Sequence, residues 1–495
     1  MSTVQSEPTS SVASRATDLV ARARAAQQPW AAKTPEQRAA MLRQAQQAIL
    51  ARAAELAELI GAETKKPLAE SYSSEVLGVA DLFAYWCKYG PGLLRPRKGK
   101  VPSLEMPGKT AWVERLPRGV VVCISPWNYP ISLPMRTIVP ALLAGNAVVL
   151  KPSEITPGTG RWLVDAMHTV LGDVIGVADG DGEMGAALVE AGPDQVVFTG
   201  STRTGRKVAV ACAERGIPCD LELGGKDCAI VLDDAAVERT AAGIAWGIVT
   251  NAGQNCSGIE RVAVHAAVAG KFVPALVREL QRAAADVPEL VTPAQRHLVE
   301  SHVRDALDRS AKLLTGELTP PKQPLPPLLL TDVDRDAPAW KDESFGPVAV
   351  LIVANDDAAL VALANDSRYG LGASVWGGDL KRAEQVARQV RSGMVWVNNH
   401  SFTGAVPDLP WVGLGDSGTG VTNSPEALEH LTRPHLLVID RASALEAWWY
   451  PYGPAMVELM KTVVDRQRSG GLGATLRTLK ALKTRMAEIA RARQN

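Results

Sequence analysis

None of the six cysteines, at 87, 123, 212, 219, 228 and 256, belongs to a C-x-x-C pair, and none of the seven histidines stands at metal-ligand spacing from them. This argues against a zinc site or a disulfide framework and fits free thiols in a reducing cytoplasm. Net charge is also missing. Lys plus Arg and Asp plus Glu each number 53, so no global field draws in nucleic acid or an acidic membrane. Any charge-based partner must use a local patch. No run of eighteen apolar residues occurs, because Pro126, Pro130, Pro134 and Pro140 interrupt the best candidate. Residues 1–14 are rich in Ser and Thr without a basic or apolar stretch, so they read as a disordered terminus and not as a secretory signal. Internal repeats are absent, and only residues 318–327, a Pro-rich loop, are low in complexity.

A chain of 495 residues exceeds what one core usually supports, which predicts two or three domains. Its 46% hydrophobic content allows large cores. Thr34-Pro35-Glu36-Gln37 combines a capping hydroxyl, a proline suited to the first helical turn and a Gln three residues on, and so predicts a helix start. The segment from about 15 to 90 reads as helical packing with no chemistry. From 119 onward short β-branched runs alternate with helical stretches: 120–124, 147–150, 174–177 and 195–198, then 229–232, 261–265, 348–353, 373–376 and 394–397. This alternation predicts an α/β protein with two parallel-sheet domains in tandem, divided near 222–226. Residues 100–106 and 110–116 flank Pro107-Gly108 and read as a hairpin.

Several short motifs follow predicted strands. Gly253-Gln254-Asn255-Cys256-Ser257-Gly258 sets one cysteine between small and polar residues, some thirty residues after Glu222-Leu223-Gly224-Gly225. A thiol nucleophile and a carboxylate base is one reading; a small buried cysteine is the other. Phe198-Thr199-Gly200-Ser201-Thr202-Arg203-Thr204-Gly205 follows a strand and opens a helix, so it is either a variant pyrophosphate turn or a turn only. Lys151 and Glu154, after another strand, could hold ribose hydroxyls or belong to a solvated loop. Pro126-Trp127-Asn128-Tyr129-Pro130 stiffens an Asn amide that could donate to an oxyanion, or forms a structural turn. Glu343, before Phe345-Gly346-Pro347, says nothing by itself. Gly415-Asp416-Ser417-Gly418 has the look of a serine-protease nucleophile motif, but Thr419 replaces the needed glycine and no His motif precedes it. It reads as a structural glycine loop.

Taken in order, PWNYP at 126, GNAVVLKPSE at 145, FTGSTRTG at 198, LELGGKD at 221, GQNCSGIER at 253, ESFGPV at 343 and GLGDSGTG at 413 closely resemble the aldehyde dehydrogenase superfamily over about residues 15–440. The resemblance implies two Rossmann-like domains, with cofactor binding by 15–99 and 117–224 and catalysis by 225–425. A small β oligomerisation element would come from 100–116 and 426–441, and a homodimer or homotetramer would follow. It implies Cys256 as nucleophile, Asn128 as oxyanion donor and Glu222 as the base that activates water against a thioester. Trp127, Lys151, Glu154, Gly200, Ser201, Gly205 and Glu343 match the family's cofactor contacts. A carboxylate at 154 would repel a 2′-phosphate and favours NAD over NADP. Relatives that pass the acyl group to coenzyme A commonly lack the carboxylate at 222, so a free acid is the expected product. A non-catalytic module of the same fold, associated with a membrane or not, is the competing reading, and the intact set of Cys256, Glu222 and Asn128 argues against it.

Two features depart from the family pattern. Residues 266–325 look short and Pro-rich, which leaves the substrate entrance open. Arg136 falls where several succinate-semialdehyde dehydrogenases place an arginine on the substrate carboxylate; the alternative is a helix Arg facing solvent or a partner subunit. After residue 441, Trp448-Trp449-Tyr450-Pro451-Tyr452 precedes Leu472, Leu476, Leu479, Leu482, Met486 and Ile489 at helical spacing among basic residues. Such a tail either packs on the enzyme or its oligomer mate, or lies peripherally on the inner face of an anionic membrane. The membrane reading favours hydrophobic, fatty aldehydes, and the Arg136 reading an anionic one.

Overall fold

The computed structural model describes residues 11–102, 106–321, 323–443 and 445–493. The chain forms two compact units, one of residues 1–95 and 115–434, the other of 96–114 and 435–495. The first helix, Val12–Ala31, is capped by Ser11 and so starts inside the terminus expected to be disordered; residues 1–10 lie outside the described residues. The predicted helix start at Thr34 is a full capping box, with Thr34 and Gln37 each accepting the other's backbone N–H.

Among the described residues the larger unit holds two large sheets and two two-stranded pairs. In the five-stranded sheet the strands lie in the order Ile175–Val177, Ala147–Lys151, Val120–Ile124, Gln195–Thr199, Cys219–Glu222, all parallel. Val120–Ile124 is buried along its whole length, as expected for a strand covered by helices on both faces. In chain order these strands read 3-2-1-4-5, the doubly wound arrangement whose order reverses beside the first strand. The turn at 125–128 and the turn at 200–202 lie there, at the carboxyl ends of neighbouring strands.

The second sheet has its first strand at Asp227–Val231. Its order is Lys312–Thr315, Leu328–Thr331, Val348–Ala354, Ile259–His265, Asp227–Val231, Gly372–Trp376, Met394–Val397, parallel except for the antiparallel edge pair 312–315 with 328–331. That edge pair and Cys219–Glu222 were not among the expected strands.

In the smaller unit Arg97–Lys98 pairs antiparallel with the long strand Lys109–Pro117, Arg97 opposite Val113 and Lys98 opposite Trp112. The expected first arm, 100–106, is therefore displaced toward 97–98; residues 103–105 lie outside the described residues. Within the expected 426–441 part of the oligomerisation element lies the strand Thr432–Asp440. The tail folds into two helices, Pro454–Ser469 and Gly471–Ala492. No helix among the described residues is long and apolar enough to cross a membrane.

Candidate active site

A cavity of about 940 Å³ opens in the larger unit, with Cys256, Arg136, Tyr129 and Trp411 among its walls. The backbone leading to Cys256 is unusual. Asn251, Ala252 and Gly253 all take positive φ, at 53°, 53° and 70°, which reverses the chain after the helix Val237–Val249. A Cβ on residue 253 would fall 2.1 Å from the carbonyl oxygen of Gly346, so only glycine fits there.

The loop is fixed by buried amides. Asn128 Nδ2 donates to the carbonyl of Gln254 at 3.1 Å, and Asn251 Nδ2 donates to the same carbonyl and to that of Asn128, both at 3.0 Å. Gln254 in turn donates to the Asn251 carbonyl and accepts the N–H of Val291. Asn128 therefore sits against the cysteine loop with one of its two amide hydrogens still available.

Behind Asn128 lies an ion pair with both side chains fully buried, Lys66 Nζ to Glu75 Oε1 at 2.7 Å. Lys66 also donates to the Asn128 carbonyl and sits 4.1 Å from the centre of the Tyr129 ring. Glu75 Oε2 accepts the N–H groups of Ile131 and Ser132, at the start of the helix Ser132–Ala144. Glu70 accepts the N–H of Asn251 at 2.6 Å and the hydroxyl of Thr250 at 3.0 Å. The segment 15–90, read as packing alone, thus supplies three charged residues to the site. Lys66, Glu70 and Glu75 gave no local signal, since charges near a helix start usually face water.

Burial raises the Cys256 thiol to about 12, with the nearby Arg136 guanidinium opposing the rise. Burial likewise holds the Glu222 carboxyl well above its ordinary range, with Asp220 adding to the shift and Arg136 opposing it. Neither Glu222 oxygen has a hydrogen-bond partner, and a Cβ on Gly420 would lie 2.8 Å from Oε1. A buried carboxyl with both oxygens free is chemically unusual, and suits a group that works on a proton. The strand ending at Glu222 is pinned by the glycine loop, where Leu223 N–H donates to the Ser417 carbonyl and Thr419 and Gly420 N–H donate to that of Leu221. Ser417, fully buried, accepts the Gly370 N–H at 3.1 Å, which agrees with the structural reading of this loop.

Arg136 lines the cavity. Its guanidinium lies over Trp411 at 4.8 Å and donates through Nη2 to the Gly404 carbonyl at 2.9 Å, while Nη1 is shielded from solvent and unpartnered.

The expected cofactor residues divide into four places. Lys151 is buried at the end of its strand and bonds Glu154, which is exposed, at 3.3 Å. Trp127 meets Phe345 edge-on at 5.6 Å. Ser201 caps the helix Thr202–Glu214, accepting the Thr204 N–H, while Gly200 and Gly205 pack so tightly on Phe198 and Leu223 that a Cβ would lie 2.7 and 2.5 Å away. Glu343 lies apart from these, against the Gly224-Gly225 pair; it accepts the Gly225 N–H at 3.1 Å and is raised to about 8, chiefly by burial. A helix N-terminus beside the reversal of strand order, with a buried Lys and an exposed Glu at the next strand end, fits a nicotinamide dinucleotide.

Residues 2–436 match the model of the aldehyde dehydrogenase family. The chain belongs to that family. It is 36% identical over 419 residues to 4,4'-diapolycopene aldehyde oxidase of Methylomonas sp, covering 83% of this chain and 79% of that protein. It is 35% identical over 438 residues to the NADP(+) succinate-semialdehyde dehydrogenase of Deinococcus radiodurans, covering 85% and 89%. The solved structure of PnpE in complex with nicotinamide adenine dinucleotide superposes with a TM-score of 0.82 at 30% identity, over 88% of this chain and 91% of that one. This aldehyde dehydrogenase is therefore an oxidoreductase that uses NAD(P) to take aldehydes to acids.

Proposed function

We propose that this aldehyde dehydrogenase works through Cys256, with Asn128 and Glu222 in the roles the family resemblance implies. The Cys256 thiolate adds to the aldehyde carbon and forms a hemithioacetal, whose oxyanion takes hydrogen bonds from the free amide hydrogen of Asn128 and the backbone N–H of Cys256. The nicotinamide supplies the hydride acceptor that turns this adduct into a thioester. Glu222 then takes a proton from water as the water oxygen attacks the thioester carbon; the carbon–sulfur bond breaks and the acid leaves. The observation that carries this reading is Cys256 in the cavity wall with Asn128 tied to the carbonyl two residues before it. Trp127, Lys151, Glu154, Gly200, Ser201 and Gly205 would hold the dinucleotide, NAD in preference to NADP, with Glu343 on its nicotinamide side.

The substrate we favour is a bulky, largely apolar aldehyde. A cavity of about 940 Å³ holds roughly thirty waters' worth of space, and Leu82, Leu133, Trp246, Val249 and Phe402 are among its walls. A four-carbon aldehyde acid fills little of it. The unpartnered Nη1 of Arg136 favours a second reading, an anionic aldehyde whose carboxylate it would bind. The enzyme would act in the cytoplasm as a homodimer or homotetramer, for which the exposed Leu436, Leu437 and Val438 of the strand Thr432–Asp440 offer a contact surface.

The deciding experiment measures nicotinamide reduction with succinate semialdehyde and with medium- and long-chain aldehydes, for wild type and Arg136→Ala. The apolar reading expects the highest kcat/KM with long chains; a preference for succinate semialdehyde that Arg136→Ala abolishes would replace it with the anionic one. No reduction with any aldehyde, despite dinucleotide binding, would refute the catalytic reading itself.

A further inference from the structure

The C-terminal tail forms an antiparallel helical hairpin. Thr478 of the second helix donates its hydroxyl to the Thr462 carbonyl of the first, and the Ala455 N–H donates to Glu488, so the two helices run in opposite directions about a Gly470-Gly471 turn. Their seam buries Leu459, Ala474, Ala481 and Ile489.

Each helix carries a second apolar stripe that the seam does not use. On the first helix it is Val457, Met460 and Val464, spaced three and four apart; on the second it is Leu472, Leu476 and Leu479, spaced four and three. All six are exposed, Val464 at 62%, Leu476 at 65% and Leu472 at 85% of their full surface. Both stripes stand away from the seam: at about 100° per residue, Met460 lies about 100° and Val464 about 140° from Leu459, while Leu472 and Leu476 lie about 160° from Ala474. The sequence pattern had grouped Leu472, Leu476 and Leu479 with Leu482, Met486 and Ile489. The structure separates them, because Ile489 is buried in the seam while the first three stand in solvent.

Beside the stripes are exposed cations, Lys461 and Arg468 on the first helix and Lys480 and Lys483 on the second. Residues 442–495 hold nine Lys or Arg against four Asp or Glu. An aromatic segment adjoins the hairpin, with Trp448, Trp449, Tyr450 and Tyr452 exposed and the two tyrosine rings stacked at 4.4 Å. Arg485 fixes this segment. Fully buried, it donates to the carbonyls of Ala447, Trp449 and Pro451 and pairs with Glu488 at 2.6 Å.

We infer that these exposed stripes of the hairpin form a docking surface for an anionic lipid bilayer. Exposed aliphatic side chains flanked by lysines and bordered by Trp and Tyr match the layers of a bilayer interface, with apolar chains below and anionic headgroups beside them. Charge argues against a second copy of the tail as the occupant, since two faces with the same surplus of positive charge would repel. This inference stands apart from the catalytic assignment, because it uses no residue of the cavity.

The test is co-sedimentation of the full chain with vesicles, compared with Leu472→Glu/Leu476→Glu/Leu479→Glu and with Lys480→Glu/Lys483→Glu. Vesicles of equimolar phosphatidylglycerol and phosphatidylcholine are set against pure phosphatidylcholine. Because every replaced side chain is exposed, circular dichroism and oxidation of a water-soluble aldehyde should be unchanged. The expected result is wild-type binding to the anionic vesicles that weakens with salt, falls about tenfold in the triple variant, and loses its anionic preference in the double variant. Equal sedimentation of wild type and the triple variant, or none by wild type, would overturn the inference. So would a lower solution mass of the triple variant without vesicles, which would assign the stripe to contacts between copies.

Discussion

Lys66 ties its ammonium to the Glu75 carboxylate at 2.7 Å and to the backbone carbonyl of Asn128, with both charged side chains fully removed from water. The pair joins a helical segment near residue 70 to the amide proposed to meet the oxyanion. Removing one partner of a buried pair leaves the other charge uncompensated, and that costs about 3 kcal/mol or more. Lys66→Met is therefore expected to lower the urea midpoint by an amount equivalent to about 3 kcal/mol and to reduce kcat more than KM is raised. A variant with unchanged stability and kcat would show that the pair neither supports the fold nor positions Asn128.

Glu222→Gln removes the proposed base while keeping shape and burial. Acylation should survive and deacylation should fail. One equivalent of reduced cofactor per subunit is expected in a fast phase, followed by turnover about a thousandfold slower than wild type. Mass spectrometry of the quenched protein should find the acyl group on Cys256. Steady turnover without a burst would remove Glu222 from the deacylation step.

The pH dependence follows from two raised groups that act when deprotonated. Burial lifts the Cys256 thiol to about 12 and holds the Glu222 carboxyl above its usual range, so the active forms are scarce at low pH. For a neutral aldehyde kcat/KM should climb from pH 6 through the alkaline range. Arg136 is the charge that most opposes the rise at Cys256. Arg136→Ala should move this limb to higher pH, by about one unit. A limb that stays in place would show that Arg136 does not act on the thiol.

At the cofactor end, Glu154 is exposed and bonded to Lys151 at 3.3 Å. Its carboxylate would face a 2′-phosphate with like charge. Glu154→Gln should lower the ratio of kcat/KM for NAD over NADP by about tenfold, measured with one aldehyde at saturation. An unchanged ratio would place cofactor choice elsewhere.

The strands were legible because parallel strands buried on both faces need unbroken β-branched runs, as in Val120 to Ile124. Cys219–Glu222 was not, since its Asp and Glu break any apolar run, and neither was the 312–331 edge pair, which carries Lys and Thr at the sheet edge. At the site, the order of seven short motifs picked out Cys256, Glu222, Asn128 and the cofactor turns, because backbone-restricted chemistry leaves glycines and prolines at fixed places. Lys66, Glu70 and Glu75 left no such mark.

The sequence by itself determined the family, the reaction class and the candidate thiol, because these rest on residue types in a fixed order. Only the tertiary structure decided that Arg136 faces the cavity, that a buried ion pair stands behind Asn128, and that three of the tail's leucines are exposed. Burial and pairing arise between segments far apart in the chain, and periodicity along one segment says which residues share a face but not what covers it.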